Sequence, residues 1–263
     1  MRRASIVSLL VSGCFGQAPT IEGGSGGVDS SSGDTSGASS DTSSGGETGA
    51  GAGFCAVHAG AIACLDFEGS DMLPAIGEQL TRNGGMLGII EDGFASSRAL
   101  AAILMGMLDG VAVLRVDHMA DGVRHAFALR LEPDCVPPDA GVVLASFGTF
   151  VTPEVEAARV ELVLLPDQRL GLRKGPGMAD MTPGPVVAEI ASPPAGEWTT
   201  IVWEVELDSA TISMSIGDGT QSDSGMAVAL GTLGDGRRSG IGLASPAATT
   251  CTASFDDVLF EAK

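Results

Sequence analysis

The run Trp198-Thr199-Thr200-Ile201-Val202-Trp203-Glu204-Val205-Glu206-Leu207 decides the fold class. Ile201, Trp203, Val205 and Leu207 fall on one face of an extended chain, and Glu204 and Glu206 on the other, because successive side chains of a strand point to opposite sides. Thr211 to Ile216 repeats the alternation, with Ile212, Met214 and Ile216 inside and Ser213 and Ser215 outside. Joined by Asp208-Ser209-Ala210, the two runs predict an antiparallel hairpin with one wet face. It closes on Gly217-Asp218-Gly219, where an Asp-Gly pair tolerates the positive φ of a tight turn.

Working outward, the period-2 pattern recurs at Phe127 to Leu131, Val142 to Phe150 and Val160 to Leu164, then at Leu170-Leu172. Short apolar runs at Ile62 to Phe67, Met86 to Ile90, Val111 to Val116, Val186 to Ile190, Gly240 to Ala244 and Phe255 to Phe260 add further strands. About a dozen short strands between Gly/Pro turns predict an all-β domain of two packed antiparallel sheets. Ala99 to Leu108 contains good helix formers, but tight bounding charges and neighbouring strands favour a strand. Met72 to Leu80 is the better candidate for a short helix.

The domain so defined, residues 54–263, carries 12 basic against 28 acidic side chains, and the whole chain of 263 residues has a formal charge of −19. That excludes a nucleic-acid binder working through a basic face. No phosphate-binding G-x-x-x-x-G-K-[ST], dinucleotide fingerprint or G-x-S-x-G occurs. Tyr is absent and only two Trp are present, so stacking surfaces for sugar rings are scarce.

Ahead of the domain, Met1-Arg2-Arg3 and the apolar run Ala4 to Gly13 form an export signal (residues 1–13) too short to span a bilayer. Phe15 to Gly53 holds 12 Gly, 9 Ser and five acids without one base, and is expected to be a disordered tether. Val11-Ser12-Gly13-Cys14 resembles the lipobox of bacterial lipoproteins. The resemblance implies a multiply acylated Cys14 as mature N-terminus, a lipid anchor in a membrane of the bacterial cell envelope and, from Phe15, onward transport to the outer membrane. The four remaining cysteines, Cys55, Cys64, Cys135 and Cys251, are an even set suited to an oxidising compartment. Of their three pairings, Cys55–Cys64 and Cys135–Cys251 are expected. The first closes a small loop at the domain entrance, and the second ties a mid-chain strand end to the last strand. C-x₂₋₄-C metal spacing is absent.

Cys64-Leu65-Asp66-Phe67-Glu68-Gly69, Gly196-Glu197-Trp198, Gly217-Asp218-Gly219 and Phe255-Asp256-Asp257-Val258 resemble the laminin-G/concanavalin A-like jelly roll. That family implies two curved sheets with adjacent first and last strands, and a concave face that binds or cleaves glycans in many members. The adjacency would gather Asp66, Glu68, Asp256 and Asp257, a set of hard oxygen donors suited to a structural calcium ion. The laminarinase pattern E-x-D-x-x-E is absent, since Glu132-Pro133-Asp134 meets Pro137 where the second glutamate belongs. Glu204 and Glu206, about 7 Å apart by strand rise, are the residual two-carboxylate candidate. His118 and His125 are expected at a surface turn, with a metal trio of His118, Asp121 and His125 as the alternative, and Arg237-Arg238 as a solvated turn, with an anion site as its alternative. These features predict a non-catalytic binding or adhesion module for a polysaccharide or surface protein. A glycoside hydrolase or lyase on the same fold and a passive structural surface protein are the alternatives.

Overall fold

The computed structural model describes residues 54–68, 77–94, 98–152, 155–175, 184–191, 193–207, 211–217, 221–224 and 236–263. The signal, Cys14, the tether and the turn residues Asp208 to Ala210 and Asp218-Gly219 lie outside them. A 3-10 turn at Phe54–Val57 leads into fifteen strands among the described residues. Eight form one sheet, here sheet A: β1 (Ala63–Leu65), β3 (Gly85–Ile90), β4 (Ala99–Met105), β6 (Gly122–Leu131), β11 (Thr199–Glu206), β12 (Thr211–Ile216), β13 (Gln221–Ser224) and β15 (Thr250–Ala262). Seven form sheet B: β2 (Glu78–Arg82), β5 (Gly110–His118), β7 (Val142–Thr152), β8 (Val155–Leu164), β9 (Leu170–Lys174), β10 (Val186–Ile190) and β14 (Gly236–Ser245).

Sheet A is ordered β13-β12-β11-β6-β15-β4-β3 with β1 on β15, and sheet B is ordered β10-β9-β8-β7-β14-β5-β2. Neighbours in both are antiparallel. This is an antiparallel β-sandwich of jelly-roll type, with first and last strands side by side: Ala63 pairs with Phe260 and Leu65 with Val258.

The deciding hairpin is present, with Trp203 opposite Met214 and Val205 opposite Ile212. Ile201, Trp203, Val205, Ile212 and Met214 are all at most 2 % exposed. Burying each such side chain contributes about 1.5–3 kcal/mol before chain entropy is subtracted. They meet Leu114, Leu162, Leu164, Leu172 and Leu243 of sheet B in one core. Ala99–Met105 is a strand, since Leu100, Ala102 and Leu104 face the core in alternation and Ile103 and Met105 face outward. The helix expected over Met72 to Leu80 is corrected where it can be examined. Glu78 to Arg82 pairs residue by residue with Arg115 to Val111 of β5, and ladder bonding overrides local propensity. Met72 to Ile76 lie outside the described residues.

The structure joins Cys55 to Cys64 and Cys135 to Cys251, with Cα separations of 5.4 and 3.9 Å. The second crosslink fastens the segment after β6 to β15, at the end of the core.

Candidate functional site

Alternation along the strands of sheet B decides what its solvent face carries. When Phe147, Val160, Leu162, Leu172 and Leu114 point into the core, their neighbours Ser146, Gly148, Arg159, Glu161, Arg173 and Arg115 must point out. These outward side chains line a groove of about 540 Å³ across the sheet, a size typical of ligand sites. Its floor is low because small residues lie in register there. Arg238 pairs with Gly148 and Gly240 with Ser146. A Cβ on Gly240 would stand 3.0 Å from Ser146 Oγ and 3.2 Å from Val113 Cγ1.

Five of the domain's twelve basic side chains, Arg82, Arg115, Arg159, Arg173 and Arg238, line this groove, against three acids, Asp109, Glu156 and Glu161. Among the lining residues bases outnumber acids, the reverse of the domain as a whole, and Asp117 and Glu78 at the edge bring the local charge to balance. Most of these arginines are locked. Glu161, 2 % exposed, receives Arg173 Nε at 2.8 Å and lies 2.9 Å from Arg159 Nε. Arg173 also donates to the Ala140 carbonyl at 2.6 Å. Asp117 holds Arg238 through two bonds, of 2.5 and 3.0 Å, while its guanidinium lies 4.6 Å above the Phe150 ring.

Arg115 differs, because among the described residues its one ion-pair partner is Glu78, at 3.7 Å. Burial, then the neighbouring Arg238 charge, lower its pKa, so an incoming anion would relieve both costs. Glu156 is perturbed as well: burial pushes its carboxyl pKa up, partly offset by Arg159 at 3.3 Å.

Sequence reasoning missed this site. Its signal is the placement of Arg and Gly on the outward positions of several strands, which becomes one surface only when β2, β5, β14, β7, β8 and β9 are known to lie side by side. The expectation of a solvated turn at Arg237-Arg238 is corrected: both lie within β14, Arg237 8 % exposed and bonded to Asp121 at 2.8 Å.

The expectation of turn histidines is corrected too. His118 ends β5, and His125 lies inside β6, fully buried. Ser239 Oγ, on β14 beside β5 and across the core from β6, sits 3.0 Å from His118 Nε2 and 2.8 Å from His125 Nε2. The Ala120 N–H donates to His118 Nδ1 at 3.3 Å, which leaves His118 Nε2 as the protonated nitrogen. His118 therefore donates to Ser239, and Ser239 in turn donates to His125. Edge contacts with Trp203 and Phe260, at centroid distances of 4.5 and 4.8 Å, complete the His125 surroundings. Burial above all, then Arg237, holds His118 down to about 4, and burial holds His125 well below the usual imidazole range. The trio His118, Asp121 and His125 does not converge as a ligand set among the described residues; Asp121 holds Arg237, and both His Nε2 atoms meet Ser239.

The terminal strands do gather Asp66, Glu68, Asp256 and Asp257. Desolvation first, then the charges of Asp256, Asp66 and Glu68, raise the Asp257 carboxyl to about 6. Two of the four serve the backbone. Asp256 accepts from Phe94 N–H and Asp257 N–H, both at 2.8 Å, and Glu68 accepts from Arg98 N–H at 3.1 Å. Among the described residues no three His, Cys, Asp or Glu side chains converge to hold a metal ion. Asp256 and Glu68 thereby fasten the Phe94 and Arg98 backbone to the bulge of β15 and to the chain after β1.

Glu204 and Glu206 lie on the solvent face of sheet A, bonded by Lys263 Nζ, with Arg124 3.6 Å from Glu204. The arrangement is a surface ion-pair network in which Arg124 also reaches Glu261 at 2.8 Å. No helix among the described residues is long and apolar enough to cross a membrane.

The sequence matches no protein-family model and no curated protein. Among solved structures the chain is similar to a carbohydrate esterase of the Shiga toxin-encoding bacteriophage phi24B. They share 12 % identity at a TM-score of 0.53, over 77 % of this chain and 98 % of that one. It is also similar to the cellulose induced protein Cip1, with 11 % identity at a TM-score of 0.55, over 76 % of this chain and 97 % of that one. At such identities the likeness establishes the fold.

Proposed function

We propose that the domain is a non-catalytic binding module for acidic glycans, with carboxylate-bearing sugar units entering the groove on sheet B. The observation that carries this is the excess of bases over acids among the lining residues, five arginines in one groove of a strongly acidic domain. Guanidinium groups recognise carboxylates through paired hydrogen bonds, so the site does not need the stacking aromatics that the composition denies it. Arg115 is the recognition residue, and the locked arginines form a positive wall behind it. Both structural relatives carry sugar-related names, which supports the choice of glycan over protein.

Titration of oligouronates against neutral gluco-oligosaccharides of equal length tests the assignment. A charge-assisted hydrogen bond is worth roughly 1.5–3 kcal/mol, so Arg115→Ala should weaken oligouronate binding about 10- to 100-fold. Added salt should weaken it further. Equal affinity for the neutral oligomer would refute the assignment.

The raised carboxyl of Glu156 favours one second reading, a glycan-cleaving enzyme with Glu156 as acid. New reducing or unsaturated ends that vanish in Glu156→Gln would establish it. We further infer that the chain is held in the bacterial envelope through acylated Cys14. Mass spectrometry of the mature N-terminus should find the acyl chains, and Cys14→Ala should move the protein to the soluble fraction.

A further inference from the structure

Of the eight large apolar side chains exposed among the described residues, four occur at one rim of the sandwich: Met86, Met105, Met107 and Leu108. Two chain reversals stack there. The chain passes from β2 to β3 through Asn83-Gly84, both at positive φ, and from β4 to β5 through residues 106–109, with Gly106 and Asp109 at positive φ. Met105 N–H donates to the Gly84 carbonyl at 3.2 Å, and Asn83 Nδ2 to the Asp109 carbonyl at 3.2 Å. The two backbones approach so closely that a Cβ on Gly85 would lie 1.8 Å from the Val111 carbonyl oxygen. Side chains cannot pack between them and must spread over the top.

Those that spread are thioethers. Met107 Sδ lies 3.0 Å and Met105 Cβ 3.5 Å from the point where a Gly84 Cβ would stand, so the two methionines flanking Gly106 converge above one glycine. Met86 pairs with Ile103 and so shares the outward face that continues to Met105, as its diagonal neighbour on the adjacent strand. Their exposures of 49, 56 and 53 % leave the three side chains half in solvent on a backbone that its own hydrogen bonds hold fixed.

We propose that Met86, Met105 and Met107 form a binding site for a soft monovalent cation of the Cu(I) class. Neutral, polarizable thioethers are poor ligands for calcium or zinc and good ones for Cu(I) and its surrogate Ag(I). Met105 and Met107 beside Gly84, with Met86 diagonal to Met105 on the adjacent strand, give long unbranched side chains able to supply three thioethers to one ion, and the domain's excess of acids attracts a cation to it. The proposal is independent of the glycan groove.

The test is Ag(I) titration of the full chain carrying Cys14→Ser, the other four cysteines being disulfide-bonded so that no thiol competes. Methionine methyl NMR is the readout. The methyls of Met86, Met105 and Met107 should shift together and saturate at one equivalent. Met119, 74 % exposed and alone, and buried Met214 serve as internal controls and should stay. Met105→Leu/Met107→Leu, volume-conserving at exposed positions, should lower Ag(I) affinity about tenfold or more with an unchanged melting temperature. Thioethers take up no proton, so affinity should be equal at pH 5.5 and 7.5. Movement of Met119 at the same Ag(I) concentration, undiminished affinity in the double variant, or loss of affinity at pH 5.5 would each overturn the proposal.

Discussion

Replacing Asp257 by Asn should stabilise the protein at neutral pH and do nothing in acid. Asp257 sits at the bulge where the β15 to β6 register shifts between Asp256 and Leu259, at φ 48°, a conformation Asn also adopts readily. Its carboxyl is raised from 3.8 to about 6 by burial, then by Asp256, Asp66 and Glu68. Below 3.8 the group is protonated in both the folded and the unfolded chain. Between 3.8 and about 6 the folded chain alone keeps the proton. Above about 6 both ionise, and the folded state bears the cost of the crowded charge. Wild-type stability therefore falls as pH rises through that window. The shift of about two units sets a ceiling near 3 kcal/mol, which screening at this half-open site reduces to about 1 kcal/mol. For a domain of this size that is roughly 2–4 °C in Tm. Thermal unfolding of both proteins from pH 4 to 7.5 in EDTA measures it, and His118 and His125, common to both, cancel in the difference. A gap of equal size at pH 4 and 7.5, or a variant less stable at pH 7.5, would refute the reasoning.

Other outcomes follow from the same geometry. His118 and His125 are held neutral by burial, so a stability contribution present above pH 6.5 is lost as pH falls toward about 4, and His125→Phe should make the acid limb of Tm against pH shallower. Removing Cys135–Cys251, which spans 116 residues, should cost roughly 5 kcal/mol in denaturant unfolding. Removing Cys55–Cys64, which spans 9, should cost roughly 2.6. Gly240→Val raises the groove floor beside Ser146 and Val113; it should abolish oligouronate binding and, by overpacking, lower stability by about 1–3 kcal/mol. Calcium should leave the melting temperature where EDTA puts it, because among the described residues no three acids converge there and Asp256 and Glu68 already accept backbone N–H groups.

The sandwich is legible in the sequence wherever one strand face is wet. Ile201-x-Trp203-x-Val205 needs no partner to be read, because the alternation is local. β2 is hidden because Glu78-Gln79-Leu80-Thr81-Arg82 has a single apolar residue and reads as helix. The corner signal Asn83-Gly84 beyond it marks where the chain turns back toward β3. His125 is misread for a related reason: a polar ring in a strand looks like a turn until Ser239, 114 residues away, supplies its partner across the core. The groove is the least legible part. Net charge describes the whole surface, and five arginines from different strands form one surface only after folding. The acids of the terminal strands show the opposite failure, since their proximity can be foreseen but not the backbone donors that occupy two of them.

The pairing of β1 with β15 also fixes how the domain carries tension. A pull on the chain ahead of residue 54 first meets Cys55, whose bond to Cys64 passes the load directly into the middle of β1, opposite Leu259. The intervening loop, about 30 Å long if drawn out, is bypassed and adds no slack. Force reaches the Cys64 ladder as shear along β15, which is itself clamped on both sides by β4 and β6. The first strand, only three residues long, can thus act as a mechanical coupling whose strength is set by the thirteen-residue β15, the longest strand among the described residues.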